Sequence, residues 1–485
     1  MPMKAISKKS VLSGHITVPG SKSHTIRALI LAAMAEGTSH ISNPLPSNDC
    51  LSTAAAVRKI GADVNFGDGE NSSVWTVRGA GSNLHLPADQ IDVGNSGSLM
   101  YFLCPVLSTL PGDCTFTGDE SICRRPVNHL LDALCQFGAK GRSLNVGANV
   151  AAGFGNSAGT TVAAGPDGSA AAAGSASSAG TTPPFTFCGP IDVNKKLVTE
   201  GALSQYISGF MMAASRLNGT LKMELTNPKE TPYLTMTKLW LESLGVPVQI
   251  SPDFKEISVK GLVDAEGKPA PFKAFDRAVP SDWEGVAFPL IAALISGSQI
   301  TIDNIDGSGS QGDDKIVEVL QSVGADIDWR REECQLLVKG GNKLTTNSLP
   351  DKELTVEMSA FPDAICALAV MACFIEGKTV FTDIDICRKK ETDRIKAMTS
   401  ELTKLGAKIV DEGDRLVVYG DGGRSLHGGE VESYKDHRIV MSLACLGLGL
   451  PDGQSLTVND AEWCSVTFPK FFEVMNDIGA GFETK

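Results

Sequence analysis

The chain has no Cys-X-X-Cys pair, no His-Glu-X-X-His run and no apolar stretch long enough to span a membrane. Its twelve cysteines are scattered from Cys50 to Cys464 and only seven histidines accompany them. That pattern argues against a structural zinc site and, in a chain of 485 residues, against a disulfide framework. Most of these cysteines are expected to be small buried hydrophobes. The longest apolar runs, such as VAFPLIAALI, fall far short of the roughly 20 residues a membrane span needs. The opening MPMKAISKKS lacks the apolar core of a signal peptide, so a soluble, cytoplasmic protein with no membrane partner is expected. Positive charge is scarce too: 43 Lys and Arg stand against 56 Asp and Glu, a formal charge of -13. A general basic surface for nucleic acid is thereby excluded. If the protein binds anions, it does so in a local pocket.

What the chain does have is repetition. A helical stretch ending in Gly, usually followed by Ala and a strand-like segment, recurs six times, in KIGADV, QFGAKG, SLGVPV, SVGADI, KLGAKI and DIGAGF, with glycines at 61, 138, 245, 324, 406 and 479. Each is preceded by another glycine, at 37, 112, 219, 297, 377 and 453, which opens a strand-like run. The second glycine of each pair is expected at a helix C′ position in left-handed conformation, and the first ends the preceding helix. Six helix–strand–helix–strand units follow. They are too long for solenoid repeats, so two globules of three units each are expected. The step from Gly138 to Gly245 is about thirty residues longer than the others. The surplus coincides with a Gly/Ala/Ser-rich run, Asn145 to Pro184, expected to be a mobile surface insertion.

The polar motifs fall near the joints between strand and helix. In VPGSKSHTIRALILAAMAEG a Lys-Ser pair opens an aliphatic helix, with Ser23 and Arg27 on one face. GNSGS precedes a helix expected near Leu99, Arg124-Arg125-Pro126 is read as a helix start, and Ser204 and Gln205 lead into another helix. Asp363 stands before an apolar helix, where it could serve as a capping acid. Lys390, Glu391 and Arg394 share one turn, and Asp436, His437 and Arg438 precede a further helix. Lys22, Arg27, Arg125, Lys390, Arg394 and Arg438 thus come to helix starts, the positive ends of helix dipoles. A cleft for small molecules bearing several phosphate or carboxylate groups accounts for that placement, with Asp363 and Glu391 as acids available for proton transfer.

The series GSKSHTIR, GNSG, RRP, SQY, FPDA, KETDR and DHR, in this order, resembles the enolpyruvylshikimate-3-phosphate synthase family over nearly the whole chain. The resemblance implies a two-domain inverted α/β barrel-like fold of six βαβαββ-type units, three per domain, with the active site in the interdomain cleft. One domain would be 21–277, with the insertion at about 145–184; the other would combine 1–20 with 278–485. The implied reaction joins the enolpyruvyl group of phosphoenolpyruvate to the 5-hydroxyl of shikimate 3-phosphate and releases phosphate. By the same resemblance Lys22, Ser23, Arg27, Ser204, Gln205, Asp363 and Lys390 would hold shikimate 3-phosphate. Lys22, Gly97, Arg125, Gln205, Arg394 and Arg438 would hold phosphoenolpyruvate. Asp363, Glu391 and Lys22 would be catalytic. No metal or other cofactor is implied, and a complete site in one chain implies that a monomer can work.

The chain also departs from the family pattern. Tyr101, Leu203, Glu230, Cys387, Val466 and Glu284-Gly285 stand where the family usually has polar or cationic residues, and each change is expected to remove a ligand contact. Lys470 is a candidate to replace the cation missing at Val466. Two alternatives remain. An enolpyruvyl transferase acting on UDP-N-acetylglucosamine would usually show Lys-Asn where this chain has Lys22-Ser23, and a reactive Cys where it has Glu120. A non-catalytic anion-binding relative would have no need of Asp363 and Glu391.

Overall fold

Each glycine pair brackets a strand and a helix, and the computed structural model, which describes residues 2–144 and 181–485, shows how six such brackets assemble. All twelve glycines have positive φ, between 68° and 146°, as expected of residues that stop a helix or turn the chain into a strand. Of the expected insertion, residues 145–180 lie outside the described residues. Its last four residues belong to the fold: the Val127 N–H donates to Thr181 O and the Leu144 N–H to Pro184 O, both at 2.8 Å.

Among the described residues twelve α-helices follow in pairs. They are α1 (Lys22–Met34) and α2 (Asn48–Lys59), α3 (Gly97–Leu107) and α4 (Asn128–Gln136), α5 (Ser204–Ala214) and α6 (Thr231–Ser243). Then come α7 (Trp283–Ser296) and α8 (Ile316–Ser322), α9 (Ile365–Phe374) and α10 (Arg394–Lys404), α11 (His437–Leu446) and α12 (Phe471–Asp477). None is long and apolar enough to cross a membrane. Six four-stranded sheets accompany them among the described residues. In each, two strands lie parallel and two more add antiparallel; in four of the six a strand–helix–strand connection makes the parallel pair. Lys196–Thr199, for example, lies parallel to Thr220–Leu225, against which Glu256–Lys260 runs antiparallel.

Three sheets borrow a strand from far away in sequence. Ala5–Lys8 inserts between Ser455–Val458 and Glu483–Thr484, Ser13–Thr17 lies parallel to Gln299–Asp303, and Asp276–Ala278 lies parallel to Thr38–Ser42. The buried apolar residues form two cores accordingly. One runs from Ile26 to Val279; the other joins Ala5–Val18 to Trp283–Phe482.

The first helix of each unit is apolar on nearly every side, which is why it is buried within a core with the sheets outside. In α9, ICALAVMACF, every residue from Ile365 to Cys373 is buried. Helices α1, α3 and α5 pack together in one core, and α7, α9 and α11 in the other. Gly209 lets α5 approach α3: a Cβ there would collide with the Tyr101 carbonyl oxygen and come within 2.9 Å of the Pro105 ring. Eight of the twelve cysteines are buried, as expected of small hydrophobes. The starts of α1, α3, α5, α7 and α11 contribute Lys22, Gly97, Ser204, Glu284 and Arg438 to the lining of one cavity.

Candidate active site

That cavity has a volume of about 670 Å³ and is walled by residues of both cores. Lys22, Ser23, Arg27, Gly97, Arg125, Ser204, Gln205, Asp363, Lys390, Glu391 and Arg438 all line it. Arg394, fully buried, lies directly behind Asp363.

Local sequence explains most of the placements. Lys22 is the first residue of α1, and Ser204 the first of α5. Ser96 caps α3 by accepting from the Leu99 N–H, which brings Gly97 to the helix start. Asp393 caps α10 and Asp436 caps α11 in the same way, setting Arg394 and Arg438 in their first turns. The Arg-Arg-Pro motif differs from expectation. Helix α4 begins at Asn128, after a 3-10 turn at Ile122–Arg124, and Arg125 is extended, because Pro126 disfavours helical backbone in the residue before it. Asp363 is no capping acid either: it lies in a 3-10 turn ahead of α9 and its side chain caps nothing.

Asp363 instead gathers cations. Its carboxylate is 3.2 Å from Lys390 Nζ, 2.5 Å from Arg394 Nη1 and 3.1 Å from Arg438 Nε. Burial works to raise its pKa, but the Lys390 and Arg394 charges outweigh burial and hold it at about 2. Arg394 also donates to Glu391 at 2.7 Å and to Asp436 at 2.8 Å. Glu391 is partly buried, which works to raise its pKa, but the charges of Arg394, His437 and Arg125 outweigh that and keep it well below the usual carboxylate range. Both acids are therefore ionised and aligned before any ligand arrives.

Other cations have no acid beside them. Arg27 is 1% exposed and donates only to neutral oxygens: Thr237 Oγ1 at 2.8 Å, Ser23 O at 3.0 Å, Tyr233 O at 3.2 Å and Ser208 Oγ at 3.3 Å. Burial lowers its pKa to about 9. Arg125 donates to Asn95 Oδ1 and Ser121 Oγ, while its buried Nε has no partner. Among the described residues neither arginine forms an ion pair. Arg27, buried, and Arg125, partly buried, are held in a way suited to anionic ligands, since a charge withdrawn from water without a counterion is costly. Gly97 makes room for Arg125, because a Cβ there would meet Arg125 Nη1 at 3.1 Å.

Several site residues escaped the sequence reading. Asp49 pairs with Lys22 at 3.4 Å. His129 is packed between Tyr101 and Tyr206, and burial lowers its pKa to about 4. Glu230 and Glu284 were expected only as lost contacts. Both line the cavity, and both turn a carboxylate onto a cation: Glu230 onto Lys390 at 2.8 Å, and Glu284 onto Arg438, where it also accepts from Tyr233 Oη at 2.6 Å. Glu230 had one local signal, its place just before Thr-Pro at the start of α6. Lys470 is exposed, and neither it nor the buried Val466 lines the cavity.

Comparison with known proteins bears on this site. The family model described as EPSP synthase (3-phosphoshikimate 1-carboxyvinyltransferase) matches residues 6–185 and 176–475. The 3-phosphoshikimate 1-carboxyvinyltransferase of Ruminiclostridium cellulolyticum is 33% identical over 476 residues, covering 98% of each chain. The protein of the same name from Methanococcus aeolicus is 32% identical over 487 residues and covers 100% of both. The solved EPSP synthase of Acinetobacter baumannii superposes with a TM-score of 0.75 at 26% identity, covering 100% of both chains.

Proposed function

The chain belongs to the EPSP synthase family, and from that premise we propose that its cavity joins the enolpyruvyl group of phosphoenolpyruvate to the 5-hydroxyl of shikimate 3-phosphate, releasing phosphate. The observation that carries this reading is the presence in one cavity of ionised acids, Asp363 and Glu391, and of cations that form no ion pair, Arg27 and Arg125. Two anionic substrates repel each other, so fixed cations must neutralise both before attack is possible.

Ser23, Arg27, Ser204, Gln205 and Lys390 then hold the acceptor, while Lys22, Gly97, Gln205, Arg125, Arg394 and Arg438 hold phosphoenolpyruvate. The acceptor oxygen attacks C2 of the enolpyruvyl group as Asp363 takes its hydroxyl proton. A proton is delivered to the methylene carbon by Lys22, giving a tetrahedral adduct. Loss of a methyl proton to Glu391 and departure of phosphate restore the double bond. Substrate anions compete with Asp363 for Lys390, Arg394 and Arg438. Each cation drawn away raises the Asp363 pKa from about 2 toward a value at which it is a competent base.

Residues 21–277 and the combination of 1–20 with 278–485 are proposed as the two bodies that close on the acceptor, a division supported by the two apolar cores. Every proposed ligand comes from one chain, which supports a working monomer. The proposed setting is the cytoplasm. Phosphate release from phosphoenolpyruvate is the test, with shikimate 3-phosphate and UDP-N-acetylglucosamine as rival acceptors. Turnover with the first alone is expected; turnover with the second alone, or with neither, overturns the reading.

A further inference from the structure

Two residues proposed to hold the acceptor are already engaged from within the protein. Glu230 Oε2 accepts from the Ser204 N–H at 3.2 Å and from Ser204 Oγ at 3.0 Å, and Oε1 accepts from Lys390 Nζ at 2.8 Å. Ser204 opens α5, an 11-residue helix, so its free N–H and hydroxyl form an anion seat at the positive end of that helix. Lys390 completes the seat from the other core, and a carboxylate of the protein fills it.

This carboxylate cannot easily leave. Glu230 is 2% exposed, its backbone is left-handed at φ 51°, and its N–H donates to Ser359 O at 2.9 Å across the cleft. The neighbouring Lys229 is ion-paired with Asp383, a second tie between the cores. Leu203, next to Ser204, lines the same cavity and offers no polar atom from its side chain. A phosphate reaching for Ser204 and Lys390 would meet a fixed negative charge, and like charges at short range repel strongly where water is excluded.

We propose that Glu230 is a specificity-determining residue: its carboxylate occupies the anion seat of Ser204 and Lys390, so that acceptor binding gains little from a phosphate on the acceptor, and a neutral polyhydroxylated carboxylate is held nearly as well. The inference rests on the reading above in placing the acceptor at this end of the cavity. It deepens that reading by making selectivity for the phosphorylated acceptor a property of one side chain.

The test is calorimetric binding of shikimate 3-phosphate and of shikimate to the full-length protein, with phosphate release from phosphoenolpyruvate measured alongside. In the wild type the phosphorylated acceptor is expected to bind less than about tenfold more tightly than shikimate. Glu230→Gln keeps the shape and removes the charge; Glu230→Ser empties the seat. Both are expected to tighten shikimate 3-phosphate about ten- to a hundredfold, the effect of a charge-assisted hydrogen bond, with shikimate and the KM for phosphoenolpyruvate changing less than about threefold. A wild-type preference of about a hundredfold or more overturns the inference without needing any variant. So does a parallel weakening of both acceptors in the variants, which would make Glu230 a structural strut. If phosphate release proceeds with shikimate 3-phosphate while either of those results is found, the inference alone falls and the proposed function stands. If the wild type binds neither acceptor, both fall together.

Discussion

Arg394 donates from Nη1 to Asp363 Oδ1 at 2.5 Å, and its side chain is wholly shut off from solvent. The same guanidinium holds Glu391 and the fully buried Asp436, so one planar fork orients three carboxylates on three segments. Arg394→Ala would strand Asp436 without its partner. Loss of a partner from a buried pair costs about 3–5 kcal/mol, so a drop of that size in urea-unfolding stability is expected. A change under about 1 kcal/mol would show that solvent reaches the cluster after all.

Asp363→Asn and Glu391→Gln are expected to cut turnover by roughly 10²–10⁴, the usual weight of a positioned acid or base, with smaller changes in the dissociation constant of shikimate 3-phosphate. Steady-state kinetics beside calorimetry separate the two effects. Near-normal turnover in both variants would make the acids structural.

Asp282 carries a pH signature. Burial is the main cause that raises its pKa from 3.8 to about 6, against the opposing charges of Arg438 and Lys22, and its Oδ2 has no hydrogen-bond partner. An acid whose folded pKa is raised contributes stability that is present below its unfolded pKa and lost as pH climbs through the folded one. The wild type should therefore lose up to about 3 kcal/mol from this group between about pH 4 and pH 6. Asp282→Asn should lack that loss, so its melting temperature is expected to rise relative to wild type as pH goes from 4 to 7. Parallel pH curves would refute the assignment.

Gly97→Ala places a Cβ 3.1 Å from Arg125 Nη1, which must give by a few tenths of an ångström. Small misplacements of a positioning group weaken binding and rate, so the KM for phosphoenolpyruvate is expected to rise about tenfold. The melting temperature should move little. An unchanged KM would remove Arg125 from the phosphoenolpyruvate site.

Replacing residues 145–180 with a short Gly/Ser connector is expected to leave kcat/KM within about threefold, because the run is surplus to the repeat spacing and poor in residues that pack. Extending the deletion through Pro184 should lower the melting temperature, since Thr181 O and Pro184 O accept from Val127 and Leu144. If the shorter deletion alone abolishes turnover in a folded protein, the segment serves the cleft.

The repeating architecture was legible in the sequence because its causes are local. A glycine forced to positive φ, a helix apolar on every side and an Asp or Ser cap each act within a few residues, and the six pairs from Gly37 to Gly479 repeat those causes. The cations at helix starts, Lys22, Arg394 and Arg438, were legible for the same reason. Arg125 was misread in its local conformation, where Pro126 acts backward on it. Beyond local partners such as Glu391 for Arg394, what these cations face was decided by tertiary structure. Glu230 and Lys390 are 160 residues apart, and Glu284 and Arg438 are 154 apart. Nothing in either neighbourhood specifies the partner, because burial sets the strength of a charge pair and burial exists only once the two cores have met.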